Sequence, residues 1–280
     1  MSVLLMTVWL TGCVQEELGS TPSPAGNGIR FTLTVPDVNL PSVSSRTMTG
    51  TGTAKKEDEI ETVDILVFDM SKTPAVYLEW VTATGVTQDL ADNSTVSFSA
   101  KLPFTTASTC IVVVANKELD DIVSGFKKGV TTKVQAMEKM LHTQTGKWLA
   151  DGSTTDGYTR IPMYGEKVIS KITPSMEPIT GINMKRMLAR IDIRNNSATS
   201  NFTVEEVYLA NYNTTGYIAP AWNTNGQVTD PAPDTPVLPV NSGKMTEEGD
   251  AILYSVNGNT PYDGEIYTFE SLAAEDAGGV

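Results

Sequence analysis

Residues 29–35 have the sequence IRFTLTV, in which apolar and polar residues alternate without an exception. Successive side chains of an extended strand point to opposite faces, so this alternation predicts a β-strand with one buried face. The buried face would carry Ile29, Phe31, Leu33 and Val35. Pro36 ends the strand, because proline has no N–H to donate to a sheet.

Further short segments of the same kind follow along the chain. Residues 60–69 (IETVDILVFD) and 109–115 (TCIVVVA) are runs rich in branched apolar residues, which predict buried strands. Helical spacing is limited to residues 118–128 and 132–141, and Thr131 or Thr132 can cap the second of these helices. The sequence therefore predicts a mainly β protein with short helices.

The length of 280 residues allows two domains of ordinary size. We assign residues 29–180 to an N-terminal β domain and residues 181–280 to a C-terminal β domain that begins with strands such as residues 187–193. After the strand-like segment at residues 265–269 the sequence offers no further strand. The C-terminal domain is therefore expected to be incomplete.

The N-terminus has the features of an export signal. Residues 3–10 (VLLMTVWL) are apolar except for one threonine, but a membrane-spanning helix needs about 20 such residues, so a signal-peptide core fits better. The run ends in LTGC, which resembles the lipobox of bacterial lipoproteins. That resemblance implies a signal peptide at residues 1–12, lipid on Cys13 and an outer-membrane lipoprotein. Residues 13–28, rich in Gly, Ser and Pro, would then be a tether.

The formal net charge of −13 argues against nucleic acid as a partner, because like charges repel. The sequence also contains few residues of the types that carry out catalysis, with one histidine and two cysteines. The single histidine, His142, is expected to be either exposed or at the C-terminal end of a helix, and Cys110 is expected to be a small core residue. Too few histidines and cysteines remain for a nucleophilic triad or a zinc site. We therefore expect no enzymatic activity, no catalytic residues, no metal and no cofactor.

The order of segments carries a family resemblance over residues 1 to about 220. The IRFTLTV strand is followed by SSRTM, IETVDILVFD, TCIVVVANKELDDI, IPMYGEKVI, NMKRMLARIDI and FTVEEVYLANYNTTGYI. This order resembles the fimbrillin superfamily, the fimbrial subunits and anchor lipoproteins of anaerobic Gram-negative bacteria. The resemblance implies two tandem transthyretin-like β-sandwich domains.

The resemblance also implies how such a protein is assembled. In the family an arginine-specific surface protease cuts the loop after the first strand, which places the cut between Arg46 and Thr47. The strand with Ile29, Phe31, Leu33 and Val35 is then displaced, and a strand from another pilus subunit fills its place. The residues agree with this site, since residues 37–59 form a polar segment that a protease can reach. Arg30 is an alternative site, but it lies inside the strand.

The expected function is therefore that of a structural subunit, stalk or tip, in a surface pilus that is made as a lipoprotein precursor. One alternative is the pilus anchor, which would keep both its lipid and its first strand. Another is a surface lipoprotein that binds a host or glycan receptor, with Trp80, Trp148 and Trp222 stacked on sugars. The expected partners are other pilus subunits, the arginine-specific protease and the outer membrane, through the lipid on Cys13.

Overall fold

The structure, a computed structural model, describes residues 28–35, 58–88, 95–148, 159–193, 204–229, 236–240, 251–255 and 262–271. Within these ranges strands dominate and the two helices are short, so the predicted fold class is confirmed. The elements, in chain order, are β1 (Ile29–Thr34), β2 (Val63–Asp69), β3 (Val76–Thr82), β4 (Thr84–Gln88), β5 (Thr95–Ala100), β6 (Thr109–Ala115), α1 (Asp120–Val123), α2 (Lys133–Lys139), β7 (Leu141–Thr143), β8 (Met163–Ile169), β9 (Ile179–Asn183), β10 (Lys185–Arg186), β11 (Ala189–Ile193), β12 (Glu206–Leu209), β13 (Thr215–Tyr217), β14 (Ile252–Ser255) and β15 (Tyr262–Thr268).

Two sheets face each other across a shared apolar core. Sheet A has the strand order β4-β5-β1-β9, and sheet B has the order β10-β8-β6-β2-β3. The core between the two sheets contains inward side chains of β1, β5 and β9 from sheet A and of β2, β6 and β8 from sheet B. This two-layer packing is that of a β-sandwich.

The two central strands of sheet B explain why residues 60–69 and 109–115 lack alternation. Every residue of β6 is buried, and so are the first six residues of β2. One face of these strands packs on sheet A, through side chains such as Ile65 and Val113. The other face, with Leu66 and Val112, packs on a second core that includes residues of α1 and α2. Strands covered on both faces need apolar residues at every position.

The chain crosses from sheet A to sheet B between β9 and β10. A Cβ atom on Gly165, in β8, would lie only 2.7 Å from Sδ of Met184 and 2.8 Å from Cγ2 of Ile182. Glycine is needed there because the crossing chain passes directly over it. β9 and β10 belong to the two large sheets, so the domain boundary predicted after residue 180 falls inside β9.

The helices are shorter than predicted. The helix expected over residues 118–128 is limited to α1, since Gly125 follows it closely and Gly129 has a φ of 69°. The helix expected over residues 132–141 becomes α2, which has the predicted cap at Thr132: its hydroxyl accepts a hydrogen bond from the N–H of Gln135, completing a capping box. Leu141 leaves the helix and begins β7.

The second half of the chain forms smaller pairs of strands, β11 with β15 and β12 with β14, around a core of Tyr212, Ile252, Tyr254 and Ile266. β13 pairs instead with β7, and Phe269 packs in the core beside α2. The strand predicted over residues 187–193 begins later, at Ala189. Met187 is not part of it, because its side chain is buried in the core beside α2.

Candidate functional site

β1 lies inside sheet A, with a partner on each side. Its six residues pair antiparallel with β5, from Ile29 opposite Ala100 to Thr34 opposite Thr95. On the other side β1 runs parallel to β9, with Phe31 opposite Ile179, and an irregularity interrupts this pairing before Leu33. A strand in this position has its N–H and C=O groups satisfied from both neighbours.

The inward side chains of β1, and that of Val35 directly after it, are those that the alternation predicts. Ile29 is 8% exposed, Phe31 and Val35 are 1% exposed, and Leu33 is fully buried. The ring of Phe31 stacks on that of Phe98 in β5, with 4.9 Å between ring centroids and 7° between planes. Burial of such side chains stabilises by roughly 1.5–3 kcal/mol each, so β1 contributes about 6–12 kcal/mol before its ordering entropy is subtracted.

Removal of β1 would leave a long apolar groove, which we call the β1 groove. Its walls would be β5 and β9, each with one unpaired edge, and its floor would be formed by sheet B side chains such as Ile65, Val67 and Ile111. An open groove of this kind is a template for another extended strand.

The predicted lipidation and processing residues, Cys13, Arg46 and Thr47, lie outside the described residues. The description of the chain stops at Val35, directly after β1, and resumes at Asp58. Arg46 and Thr47 therefore fall within the segment that joins β1 to the rest of the sandwich. The alternative arginine, Arg30, has an exposed side chain, but its backbone is paired opposite Ser99.

His142 differs in part from its prediction as a residue that is either exposed or at the C-terminal end of a helix. It lies in β7, opposite Gly216, and its ring is 5.0 Å from the ring of Trp148. Neither ring nitrogen is accessible or has a hydrogen-bond partner among the described residues. Burial, aided by the charge of Lys117, lowers the pKa of His142 to about 4. His142 does follow the C-terminal end of α2, but it is not exposed, because its ring packs beside those of Trp148 and Phe269.

This lowered pKa gives a pH dependence. Between pH 6.5 and about pH 4, His142 is protonated in the unfolded chain but remains neutral in the folded chain. The free energy of unfolding therefore falls as the pH is lowered through this range. Because the ring is only partly buried, we expect about 1–2 kcal/mol between pH 7 and pH 4.5, less than the full shift would give. Urea unfolding of the parent protein and of His142→Phe at pH 7 and pH 4.5 measures this change. The free energy of unfolding of His142→Phe should fall by about 1–2 kcal/mol less than that of the parent protein. An equal loss in both proteins would contradict the buried neutral imidazole.

Cys110 is a buried free thiol, as predicted, but it has a charged neighbour in space. Lys133 of α2 is 1% exposed, and its Nζ lies 2.6 Å from Oε2 of Glu166. Tyr164 donates its hydroxyl to the same oxygen at 2.5 Å. Burial raises the pKa of Cys110 to about 11, and the nearby Lys133 only partly opposes it. The thiol is therefore protonated and unreactive.

We expect Lys133→Met to destabilise the fold by about 3 kcal/mol, because it leaves the carboxylate of Glu166 without its cation in a largely apolar setting. The double variant Lys133→Met with Glu166→Gln should recover most of this loss, since it removes the charge and keeps an acceptor for Tyr164. Urea denaturation measures both. A loss below about 1 kcal/mol in the single variant would mean that the pair is solvated.

The tryptophans proposed for sugar stacking are not arranged as an exposed platform. Trp148 is 3% exposed, and Trp80 and Trp222 are partly buried against the core beside α2. The described residues contain no group of three potential ligands that could hold a metal ion. None of the helices in the described ranges is long and apolar enough to cross a membrane.

The fold defines a class of protein: a β-sandwich whose first described strand is an interior strand of its sheet. A family model described as "Major fimbrial subunit protein (FimA)" matches residues 29–173, slightly more than half of the chain. The chain belongs to this family of fimbrial proteins, and the resemblance to fimbrillins is confirmed. It is a pilus-related protein of the cell surface, and its partners are other pilus subunits.

The similarity of this chain to solved structures is weaker than its match to the family model. A candidate cell adhesion protein from Parabacteroides distasonis is 18% identical with a TM-score of 0.44, covering 90% of this chain and 73% of that one. A fimbrial assembly protein from the same organism is 12% identical with a TM-score of 0.38, covering 83% and 86%. A candidate polysaccharide-binding protein from Bacteroides thetaiotaomicron is 12% identical with a TM-score of 0.36, covering 72% and 62%. A comparison with curated sequences finds no match. Family membership therefore rests on the sequence match.

Residues outside the predicted set also belong to the site. Phe98 was not singled out, although its alternation with Val96 and Ala100 marked it as an inward residue of β5. Gln88, Asn116 and Arg186 hold the chain where it returns to the sandwich at Asp58. No sequence signal identified these three, because each acts on a segment that is distant along the chain.

Proposed function

We propose that the protein is a structural subunit, stalk or tip, of a surface pilus, that it is made as a lipoprotein precursor, and that protease-triggered strand exchange assembles it. The observation that carries this proposal is the position of β1, an interior strand that joins β2 only through residues 36–57. A single cut in that segment separates β1 and everything before it from the rest of the sandwich. The role is structural and requires no catalytic group.

The proposed sequence of events begins at the membrane. Cys13, at the end of the LTGC motif, receives lipid, and residues 13–28 form the tether that leads to β1. While the chain is intact, β1 fills its groove and no other strand can enter. A cut after Arg46 leaves residues 13–46 attached by noncovalent contacts alone. These residues can then depart together with the lipid.

A donor strand from another subunit would take the place of β1. It would need apolar side chains at alternate positions, as at Ile29, Phe31, Leu33 and Val35, and a backbone that hydrogen-bonds to β5 and β9. Refilling the groove restores the buried area that the departing strand takes away, so the exchange costs little at equilibrium. The joint between subunits would then be as durable as the strand in the original fold.

The N-terminus of the protein in purified surface pili tests this proposal. Free α-amino groups are labelled chemically, the protein is digested, and labelled peptides are identified by mass spectrometry. We expect a labelled N-terminus at Thr47 and the absence of the tryptic peptide 31–46. A lipidated Cys13 in the assembled material, with peptide 31–46 present, would contradict the processed subunit and support the anchor instead.

A further inference from the structure

If β1 leaves sheet A, the strand β9 loses its neighbour in that sheet. β9 is at the edge of sheet A, and β1 is its only partner in that sheet among the described residues. Once β1 has left, β9 has no strand beside it, while β5 is still paired with β4. The two walls of the β1 groove must therefore be held by contacts outside sheet A, or the groove closes before a donor arrives.

Residues 58–61, which we call the clamp segment, are held by two side-chain amides. Gln88, the last residue of β4, donates Nε2 to the carbonyl of Asp58 at 2.7 Å and accepts the N–H of Ile60 at 3.0 Å. Asn116, directly after β6, donates Nδ2 to the carbonyl of Glu59 at 2.8 Å and accepts the N–H of Glu61 at 3.0 Å. Each side-chain amide thus satisfies one backbone carbonyl and one backbone N–H of the clamp segment, as a neighbouring strand would. Gln88 does so on one edge of the segment and Asn116 on the other.

The side chains of the clamp segment add further attachments. Asp58 forms an ion pair with Arg186 of β10, the strand that continues directly from β9. Arg160, just before β8, lies 3.3 Å from Glu59 and 2.7 Å from Glu61. Ile60 is 5% exposed and packs in the core between the sheets. The clamp segment is therefore tied to β4, next to one wall of the groove, and to β10, which continues from the other wall.

We infer that the clamp segment holds the two walls of the β1 groove in position while the groove is empty. This inference rests on the proposed strand exchange. Gln88 and Arg186 are the positioning residues: Gln88 lies beside Val96 of β5, which pairs with Leu33, and Arg186 fixes the end of β9. A cut after Arg46 leaves Asp58–Glu61 on the retained side of the chain, so the clamp survives the processing that releases β1.

The test uses the full chain in detergent with a recognition sequence for a site-specific protease inserted after Arg46. After cleavage, a fluorescent peptide of residues 28–35 is added, and bound peptide is measured by size exclusion. Gln88→Leu and Arg186→Met should bind at least tenfold less peptide than the parent chain. Arg186→Lys, which keeps the charge, should recover binding to within about threefold.

Two matched controls separate the clamp from general stability. Thr87→Val removes an exposed side-chain hydrogen bond of the neighbouring residue of β4, and Lys128→Met removes an exposed cation that pairs with Glu79 of β3 rather than with the clamp segment. Both should bind peptide within twofold of the parent chain, and binding is compared at a temperature at which thermal unfolding shows every uncut variant to be folded. If Gln88→Leu and Arg186→Met bound as much peptide as the parent chain, the role of the clamp segment would be overturned, while the strand exchange would stand. The absence of binding by the cut parent chain would overturn the strand exchange itself, and the clamp with it.

Discussion

Cells that carry Arg46→Ala are expected to show no pilus polymers, although the subunit is made, folds and reaches the membrane. Without a cut in the segment between β1 and Asp58, β1 remains covalently attached to its own groove. A tethered strand has an effective concentration in the millimolar range, which a donor strand from a separate molecule cannot match. The measurement is an immunoblot of unboiled surface extract, in which polymers form a ladder of bands.

Arg30→Ala provides the control for this prediction. Arg30 is the other arginine near the processing region, but it lies within β1 and its outward side chain contributes nothing to the core. Cells with Arg30→Ala should therefore produce a normal ladder. If Arg46→Ala cells also produced a normal ladder, Arg46 would not be the processing site, and the anchor or the glycan-binding lipoprotein would become the better interpretation.

Cys13→Ser is expected to abolish lipidation completely and to leave the precursor with its signal peptide attached. The basis is the LTGC motif after a short apolar run, in which the thiol of Cys13 is the only group at that position that can be acylated. Metabolic labelling with a radioactive fatty acid, followed by immunoprecipitation, measures the effect.

Cys110→Ser is the matched control for the loss of label. Cys110 is the only other cysteine, and it is fully buried in β6, so it cannot receive lipid in the folded protein. The label should persist undiminished in Cys110→Ser. If the label persisted in Cys13→Ser as well, the lipobox interpretation would be wrong and another attachment to the cell surface would be needed.

The buried strands and the capped helix were predictable because their patterns are local. Alternation in residues 29–35 identified the four inward side chains of β1, and the continuous apolar runs of β2 and β6 marked strands covered on both faces. Thr132 with Gln135 is a capping box, whose two halves lie three residues apart. Each of these signals is complete within a few residues of sequence.

The remaining features depend on contacts between distant parts of the chain. His142 is partly buried because β7 pairs with β13, more than 70 residues later. The strand expected to begin at Met187 begins at Ala189, because the side chain of Met187 is buried in the core beside α2, among residues distant along the chain. The clamp residues Gln88, Asn116 and Arg186 are ordinary polar residues in the sequence. Only the fold brings them to the segment at Asp58.

A disulfide that locks β1 in its groove tests the central claim most directly. Thr32 of β1 and Ser97 of β5 are directly opposite each other on the outer face of sheet A. Opposed residues of antiparallel strands have Cα atoms about 4.5–5.5 Å apart, which a disulfide can span. The variant Thr32→Cys with Ser97→Cys is therefore expected to form this bond on export. Its control, Thr87→Cys with Ser97→Cys, joins β4 to β5 and leaves β1 free.

The measurement is the polymer ladder of cells that make each double-cysteine variant, with and without a membrane-permeant reductant during assembly. We predict that the β1–β5 variant is still cut after Arg46 but forms no ladder, and that reductant restores the ladder. The β4–β5 control should polymerise under both conditions. A normal ladder from the oxidised β1–β5 variant, with the disulfide intact inside the polymer, would show that β1 never leaves its groove and would contradict assembly by strand exchange.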